Sequence, residues 1–491
     1  MTSNMRMLGI VLCAYGLLLT GGSAPWRASR CSRACFATEP GEETVPHPGE
    51  SKGIPLRTDD GYRGVWYLMQ KMGDYYKYSG GLGTYPQQIR PLAVYAPEVR
   101  KTFFVYGGTV KGRQHLLHMI SYYDHARGVV PRPRILMDKK TADAHDNPSL
   151  AIDADGHLWV FSNAHGTARP AYIWRSVKPY DIDRFEQVLE TNFSYGQPWW
   201  VPGKGFMFVH TIYHGGKRFL YWQTSADGRT WSRRRALATI ARGQYQISEH
   251  ANGKVATAFN VHPQAGGLDN RTNLYYLETT DFGETWRTAD GTVVKTPLTA
   301  IANPALVQDF RAEGLRVYLK DLRFDADGRP VILFLTADTH VPGPRDVPRT
   351  WRTARWTGTE WEIHPFTTSD NNYDFGPLYL EEGGVWKVIG PTEPGPQRFC
   401  TGGEIALWTS LDRGKSWRKV KQLTHDSPRN HTYVRRPVNA RDDFYAFWAD
   451  GDALKTSDSH LYFTNRAGTK VRRLPMSMEG DFAEPEVVSF K

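Results

Sequence analysis

Cysteine is scarce: four in 491 residues, too few for a disulfide framework at this length. Charged residues are only 23 % of the chain, and 16 Trp and 25 Tyr accompany them, a composition that excludes a mostly disordered chain. Long apolar runs are nearly missing. The single candidate, residues 7–20 (MLGIVLCAYGLLLT), is too short and wrongly flanked for a membrane span. It follows Arg6 and precedes Gly22-Ser23-Ala24, the pattern of a secretory signal peptide over residues 1–24. Residues 25–58, rich in Pro, Gly, Glu and Ser, read as a linker or disordered arm, and 59–491 as the folded part. Cleavage would remove Cys13 and Arg6. It would leave Cys31, Cys35 and Cys400 and a charge of +10 − 1 = +9. Cys31 and Cys35 could pair within the arm.

Lys plus Arg number 61 and Asp plus Glu 51, so the field of the whole chain attracts anions. Export argues against nucleic acid as partner and for an acidic polysaccharide. The expected protein is secreted or periplasmic, off the membrane after processing, and monomeric.

From about residue 90 onward one unit repeats: strand, tight Gly/Asp turn, strand, variable loop, strand, and often a Trp-bearing fourth strand. Asp153-Ala154-Asp155-Gly156 and Asp325-Ala326-Asp327-Gly328 are hairpin signals between alternating strands. Thr279 to Trp286 (TTDFGETW) and Ser410 to Trp417 (SLDRGKSW) share S/T-x-D-x-G-x-T/S-W, and Thr224 to Trp231 is a variant. These resemble the Asp-box of bacterial neuraminidase repeats. In it Asp281 or Asp412 closes a turn onto backbone N–H groups, Gly takes the special dihedral and Trp fills the space between blades. Seven units follow, at about 90–142, 143–192, 193–242, 243–298, 299–369, 370–426 and 427–476. The predicted fold is all-β, a single seven-bladed β-propeller of four-stranded antiparallel blades. Residues 62–69 and 485–490 are left as closing strands.

In such blades the Asp-boxes and Asp-Ala-Asp-Gly turns share one rim, and the variable loops share the other, where the site is expected. That rim receives His145, Asp146, Asn147, His165, Tyr195, His210, Tyr213, Arg218, Tyr245, His262, Asn430, His431 and Arg435. It is rich in His, Tyr, Arg and Asn and poor in acids. A glycosidase needs two facing carboxylates, and Asp146 and Asp374 form no convincing pair. A sialidase needs an arginine cluster, whose first member is missing. The residue types suit β-elimination on a uronate. There the sugar carboxylate must be neutralised, the C5 proton removed and the leaving O4 protonated. Hydrolysis on the same fold, or binding without turnover with Trp199 and Trp200 as stacking platforms, are the other classes.

GYRGVWY, KYSGGLGTYPQQ, HDN at His145, NAHG at His165 and SPRNHTYVRRP resemble the secreted BNR-repeat proteins over residues 61–475. The characterised members of that group include seven-bladed ulvan lyases. The resemblance implies cleavage of an ulvan-like, sulfated uronate polymer. It implies a histidine pair spaced as His145 and His165 are, and tyrosines matching Tyr195 and Tyr245. It also implies a carboxylate-neutralising arginine where this chain has Ile212; Arg218 in the adjacent loop, or Arg435 across the channel, would replace it. On this reading Arg218 and His165 bind the carboxylate. His145 and Tyr195 move the protons. Tyr245 and Asn147 hold the sugar, with Tyr213, His210, Asn430, His431 and Arg435 as further contacts. No cofactor is required for the chemistry. Some members carry a structural zinc, for which His262 and Cys400 are the chemically suitable candidates.

Overall fold

The computed structural model describes residues 53–72, 75–265, 269–343 and 349–490. The expected signal peptide, the Cys31–Cys35 pair and the arm up to residue 52 lie outside these. Seven antiparallel sheets form a seven-bladed β-propeller. Each blade comes from one contiguous stretch. The first strands of blades 1 to 7 are Ala93–Ala96, Pro148–Ile152, Ser194–Val201, Gln246–Ala251, Arg316–Phe324, Leu378–Leu380 and Asn430–Arg435. Blade 4 runs further than expected. Leu306–Gln308 pairs with its third strand, Thr272–Thr279, because its outer segment, Trp286–Arg287, is only two residues long and leaves that edge unpaired.

Large apolar side chains on both faces of the sheets build the cores between blades; Trp159, Trp222, Trp351 and Trp448 are fully buried. The Asp-boxes form as predicted. Asp281 Oδ1 accepts from the Thr285 N–H at 2.9 Å, and Asp412 Oδ1 from the Ser416 N–H at 2.9 Å. Gly283 has φ +91°, and a Cβ there would sit 2.4 Å from the Trp222 ring of the preceding blade. Glycine is required here both for the dihedral and for contact between blades.

The ring closes without a shared blade. Residues 54–58, assigned above to the arm, are extended. Ile54–Pro55 pairs with the outer strand of blade 2 and Arg57–Thr58 with that of blade 1. An outer strand offers a row of unpaired N–H and C=O groups that any extended neighbour can satisfy, which is why a polar, Pro-containing stretch becomes ordered. At the other end Glu486–Val488 adds to blade 7, and Phe482–Ala483 pairs with Val130–Pro131 of blade 1. Arg132 reinforces this clasp, donating to the Met478, Glu479 and Gly480 carbonyls. Residues 62–69 do not close a blade. Trp66–Met72 and Tyr75–Gly81 form a separate hairpin ahead of blade 1.

Candidate active site

His145 lies in a 3₁₀ turn, Ala144–Asp146, that leads into blade 2. The Asp143 side chain caps this turn by accepting from the His145 N–H at 3.0 Å. The same carboxylate reaches two imidazoles: Oδ1 is 2.5 Å from His145 Nδ1 and Oδ2 is 2.7 Å from His165 Nδ1. The two rings stack with centroids 3.9 Å apart. Asp146 fixes the second loop, accepting from the His165 backbone N–H at 2.7 Å and from Arg169 Nε at 2.8 Å. Burial would raise the Asp143 carboxyl, but the two histidines beside it hold it well below the usual range. Burial pushes His145 down to about 4, against the pull of Asp143. The pair is therefore a carboxylate and a neutral imidazole protonated on Nδ1. His145 Nε2 is then the acceptor, receiving the Tyr85 hydroxyl at 2.5 Å, with the Tyr78 hydroxyl 2.8 Å away.

Tyr195 sits in the first strand of blade 3 at φ +55°, where the pairing shifts between Ser194 and Gln197. A bulky residue there is strained. The bulge turns its ring against Tyr245, with centroids 5.1 Å and hydroxyls 3.4 Å apart. Tyr213 and Arg218 are cross-strand partners at the end of one hairpin, and Arg218 Nη1 donates to the Tyr213 hydroxyl at 2.8 Å. Gly243, at φ +128°, lets the segment before Tyr245 run against Arg218: a Cβ there would lie 1.8 Å from the Arg218 carbonyl oxygen.

The structure brings His145, His165, Tyr195, Tyr213, Arg218 and Tyr245 together. His165, Tyr213 and Tyr245 are partly open, whereas His145, Tyr195 and Arg218 lie behind them, each 3 % exposed or less. Arg218, paired with Tyr213 beside Ile212, joins this cluster from beneath the tyrosines and without direct access. His145 and Tyr195 are likewise backing groups.

Several assigned contacts are elsewhere. Asn147 is fully buried, and its Nδ2 donates to the Leu82 and Tyr85 carbonyls. His210 stacks on Phe208 inside blade 3. Asn430 donates to the Gln397 and Thr401 carbonyls, and His431 is enclosed by Ser427 and Trp448. Arg435 donates to the Pro86 and Ile89 carbonyls in the channel. Inner strands of a propeller are buried on both faces, so polar residues on them serve the backbone. Trp199 is buried too, donating to Ser248, and is not a stacking platform.

Among the described residues His262 and Cys400 belong to no cluster of three donor atoms. His262 Nε2 accepts from Arg218 Nη2 at 2.6 Å, a cation in the place of a metal. Cys400 is a buried thiol whose pKa burial pushes up to about 11. Among the described residues Asp143, His145 and His165 are the group with three donor atoms within 4.8 Å of one another. Their 2.5 and 2.7 Å separations are hydrogen bonds; ligands around a tetrahedral zinc would stand about 3.3 Å apart at ordinary bond lengths.

The sequence reading missed Asp143, Tyr78, Tyr85 and Arg271. Tyr78 and Tyr85 were inside the quoted KYSGGLGTYPQQ segment, which the repeat pattern placed in no blade. Arg271 opens the third strand of blade 4, and its Nη2 donates to the Tyr373 hydroxyl at 3.1 Å. A cavity of about 920 Å³ opens on the opposite rim near Trp200, His250 and Arg323. Its deep charges are consumed in one network, Glu249 with Arg90, Arg323 and Arg436, and Asp321 with Arg90 and Arg436.

Comparison with known proteins agrees with the fold. An ulvan lyase of Nonlabens ulvanivorans is 24 % identical over 321 residues, which is 58 % of this chain and 66 % of that protein. A solved polysaccharide lyase, a PL25 ulvan lyase, superposes with a TM-score of 0.64 at 16 % identity, covering 83 % of this chain and 96 % of its own. The same lyase bound to -[GlcA(1-4)Rha3S]- gives 0.64 at 15 %, over 84 % and 96 %. The polysaccharide lyase Uly1 gives 0.59 at 12 %, over 84 % and 100 %. Residues 118–369 match the family described as BNR repeat-containing family member, more than half of the chain, and the protein belongs to that family.

Proposed function

We propose that this protein is a polysaccharide lyase that cleaves an anionic, uronate-containing polymer by β-elimination outside the cell. The observation that carries the reading is the pairing of His165, held by Asp143, with the tyrosines Tyr213 and Tyr245 over one buried guanidinium, Arg218. Similarity to ulvan lyases supports it and favours an ulvan-like substrate.

Elimination needs charge opposite the carboxylate so that an enolate-like state can form at C5. Arg218 supplies it indirectly, polarising the Tyr213 hydroxyl that donates to the substrate carboxylate. Proton transfer falls to Tyr245, the open tyrosine of the pair with Tyr195. Hydrolysis fits less well, because Asp143 and Asp146 are tied to His145, His165 and Arg169.

The test is ultraviolet absorbance during incubation with ulvan and a panel of uronic polysaccharides. The expected result is accumulation of a 4,5-unsaturated uronate; new reducing ends without it would make the protein a hydrolase.

A further inference from the structure

The loops that join the second and third strands of blades 7 and 1, residues 452–460 and 109–116, meet on the same rim as the histidine pair. A groove of about 890 Å³ lies between them. Five cations line it, Arg63, Lys111, Arg113, Arg429 and Lys455, against two carboxylates, Asp452 and Asp458. At the base, Arg63 pairs with Asp60 at 2.6 Å. Arg429 is anchored on the Asp458 carbonyl at 2.8 Å and lies 3.9 Å from Asp450. The Asp452 carboxylate caps its own loop, accepting from the Leu454 and Lys455 N–H groups at 2.9 and 3.1 Å. Lys111, Arg113 and Lys455 remain at the lips. All three are exposed, and among the described residues none forms an ion pair. They face one exposed carboxylate, Asp458.

Cations gathered in a gap raise its potential and draw in an opposite charge. The backbone that presents these is already fixed. The Thr109 hydroxyl closes the blade 1 loop, donating to the Arg113 carbonyl and accepting from the His115 N–H at 3.3 Å. In the blade 7 loop the Asp452 N–H donates to Ser457 Oγ at 2.9 Å. Binding therefore has little loop ordering to offset.

The hairpin ahead of blade 1 divides this groove from the catalytic cluster. Successive residues of a strand point to opposite sides. Trp66 Nε1 donates to the Asp452 carbonyl at 2.7 Å on the groove side, whereas the next residue, Tyr67, turns its hydroxyl to Asp143.

We propose that the groove between blades 7 and 1 holds an anionic stretch of the polysaccharide away from the bond being cut, as an anchoring site that takes no part in the chemistry. The inference rests on the anionic-polymer reading above and gives that polymer a second place of contact. One guanidinium and two ammonium groups at the lips suit sulfate esters or carboxylates. Trp66 is buried and offers no stacking face, so charge is what the groove recognises.

The experiment compares the parent with Lys111→Ala/Arg113→Ala/Lys455→Ala. A control, Arg418→Ala/Lys419→Ala/Lys421→Ala, removes the same charge from the exposed outer strand of blade 6. Affinity electrophoresis through ulvan, desulfated ulvan and a neutral polysaccharide reads retention, each against a polymer-free gel. KM and kcat are measured on ulvan and on the shortest fragment that is still cut. The groove variant should bind ulvan about 3- to 100-fold more weakly, the weight of three exposed ion pairs. Its KM on ulvan should rise by a similar factor, with kcat and both constants on the short fragment unchanged. The control should stay within twofold of the parent, and the neutral polymer should retard neither. Parent retention that is lost on desulfated ulvan assigns the groove to sulfate; retention that persists assigns it to carboxylate. The proposal is overturned by a parent that ulvan does not retard, by a groove variant within twofold of it, or by equal weakening of the control. If no polymer yields an unsaturated uronate, the lyase reading fails, while retention still decides the groove.

Discussion

Asp143→Asn is the sharpest perturbation of the histidine pair. The carboxylate accepts from both Nδ1 atoms at once, at 2.5 and 2.7 Å. An amide of the same shape has only one acceptor oxygen, and its NH₂ forces the second imidazole to present a lone pair on Nδ1. One ring therefore changes tautomer, and its Nε2 turns from acceptor to donor. Two charge-assisted bonds are lost or inverted at about 1.5–3 kcal/mol each, or about 3–6 kcal/mol together. At about 1.4 kcal/mol per factor of ten, kcat should fall about 10²–10⁴-fold. The assay is the initial rate of unsaturated uronate formation, with the thermal midpoint checking that the variant folds. A folded Asn variant within tenfold of the parent would mean that the bridging carboxylate does not set the tautomers, and the site geometry would need another account.

Gly283→Ala places a methyl 2.4 Å from the Trp222 ring at a left-handed dihedral and should cost about 1–3 kcal/mol by denaturant unfolding with little change in kcat. Asn147→Ala leaves the Leu82 and Tyr85 carbonyls without their donor and should cost about 1–3 kcal/mol; a rise in KM without loss of stability would restore it as a sugar contact. Burial holds His125 and His145 down to about 4 from the ordinary 6.5. Between those values the unfolded chain binds protons that the folded one refuses. Stability should accordingly fall as pH drops from about 6.5 to 4, and thermal midpoints that stay flat or rise over that range would contradict it.

Much of the fold was legible because its punctuation is local. An Asp-box or an Asp-Ala-Asp-Gly turn is a contiguous set of residues whose geometry depends on nothing distant, and these marks divide the chain into seven. The hairpin at 66–81 was not legible as a site element because it belongs to no repeat; only the ring's closure brings Tyr78 and Tyr85 onto His145. His145, His165, Tyr195, Tyr213, Arg218 and Tyr245 converge in the structure because they sit at strand ends on the variable rim. Asn147, His210, Asn430, His431 and Arg435 were over-assigned for the same reason. Distance from a turn tells which rim a residue is near, not whether its side chain faces solvent or the neighbouring backbone, and polar residues on inner strands satisfy carbonyls first. Asp143 was passed over because one carboxylate beside a histidine is common, and its bridge to His165 exists only in three dimensions.

Blades 1, 2 and 7 carry the added outer strands, at 57–58, 54–55 and 486–488. Blades 7 and 1 flank the place where the ring is joined, and blade 2 follows blade 1. If the 482–483 clasp lets go, the seam loosens and the tail can peel away, leaving bare strand edges on both sides of one gap. Those edges are templates for another copy of the same chain. The assembly hazard of this molecule is thus concentrated at its seam. Deleting residues 482–490 should show itself first as concentration-dependent association of otherwise intact rings, before any loss of blade structure.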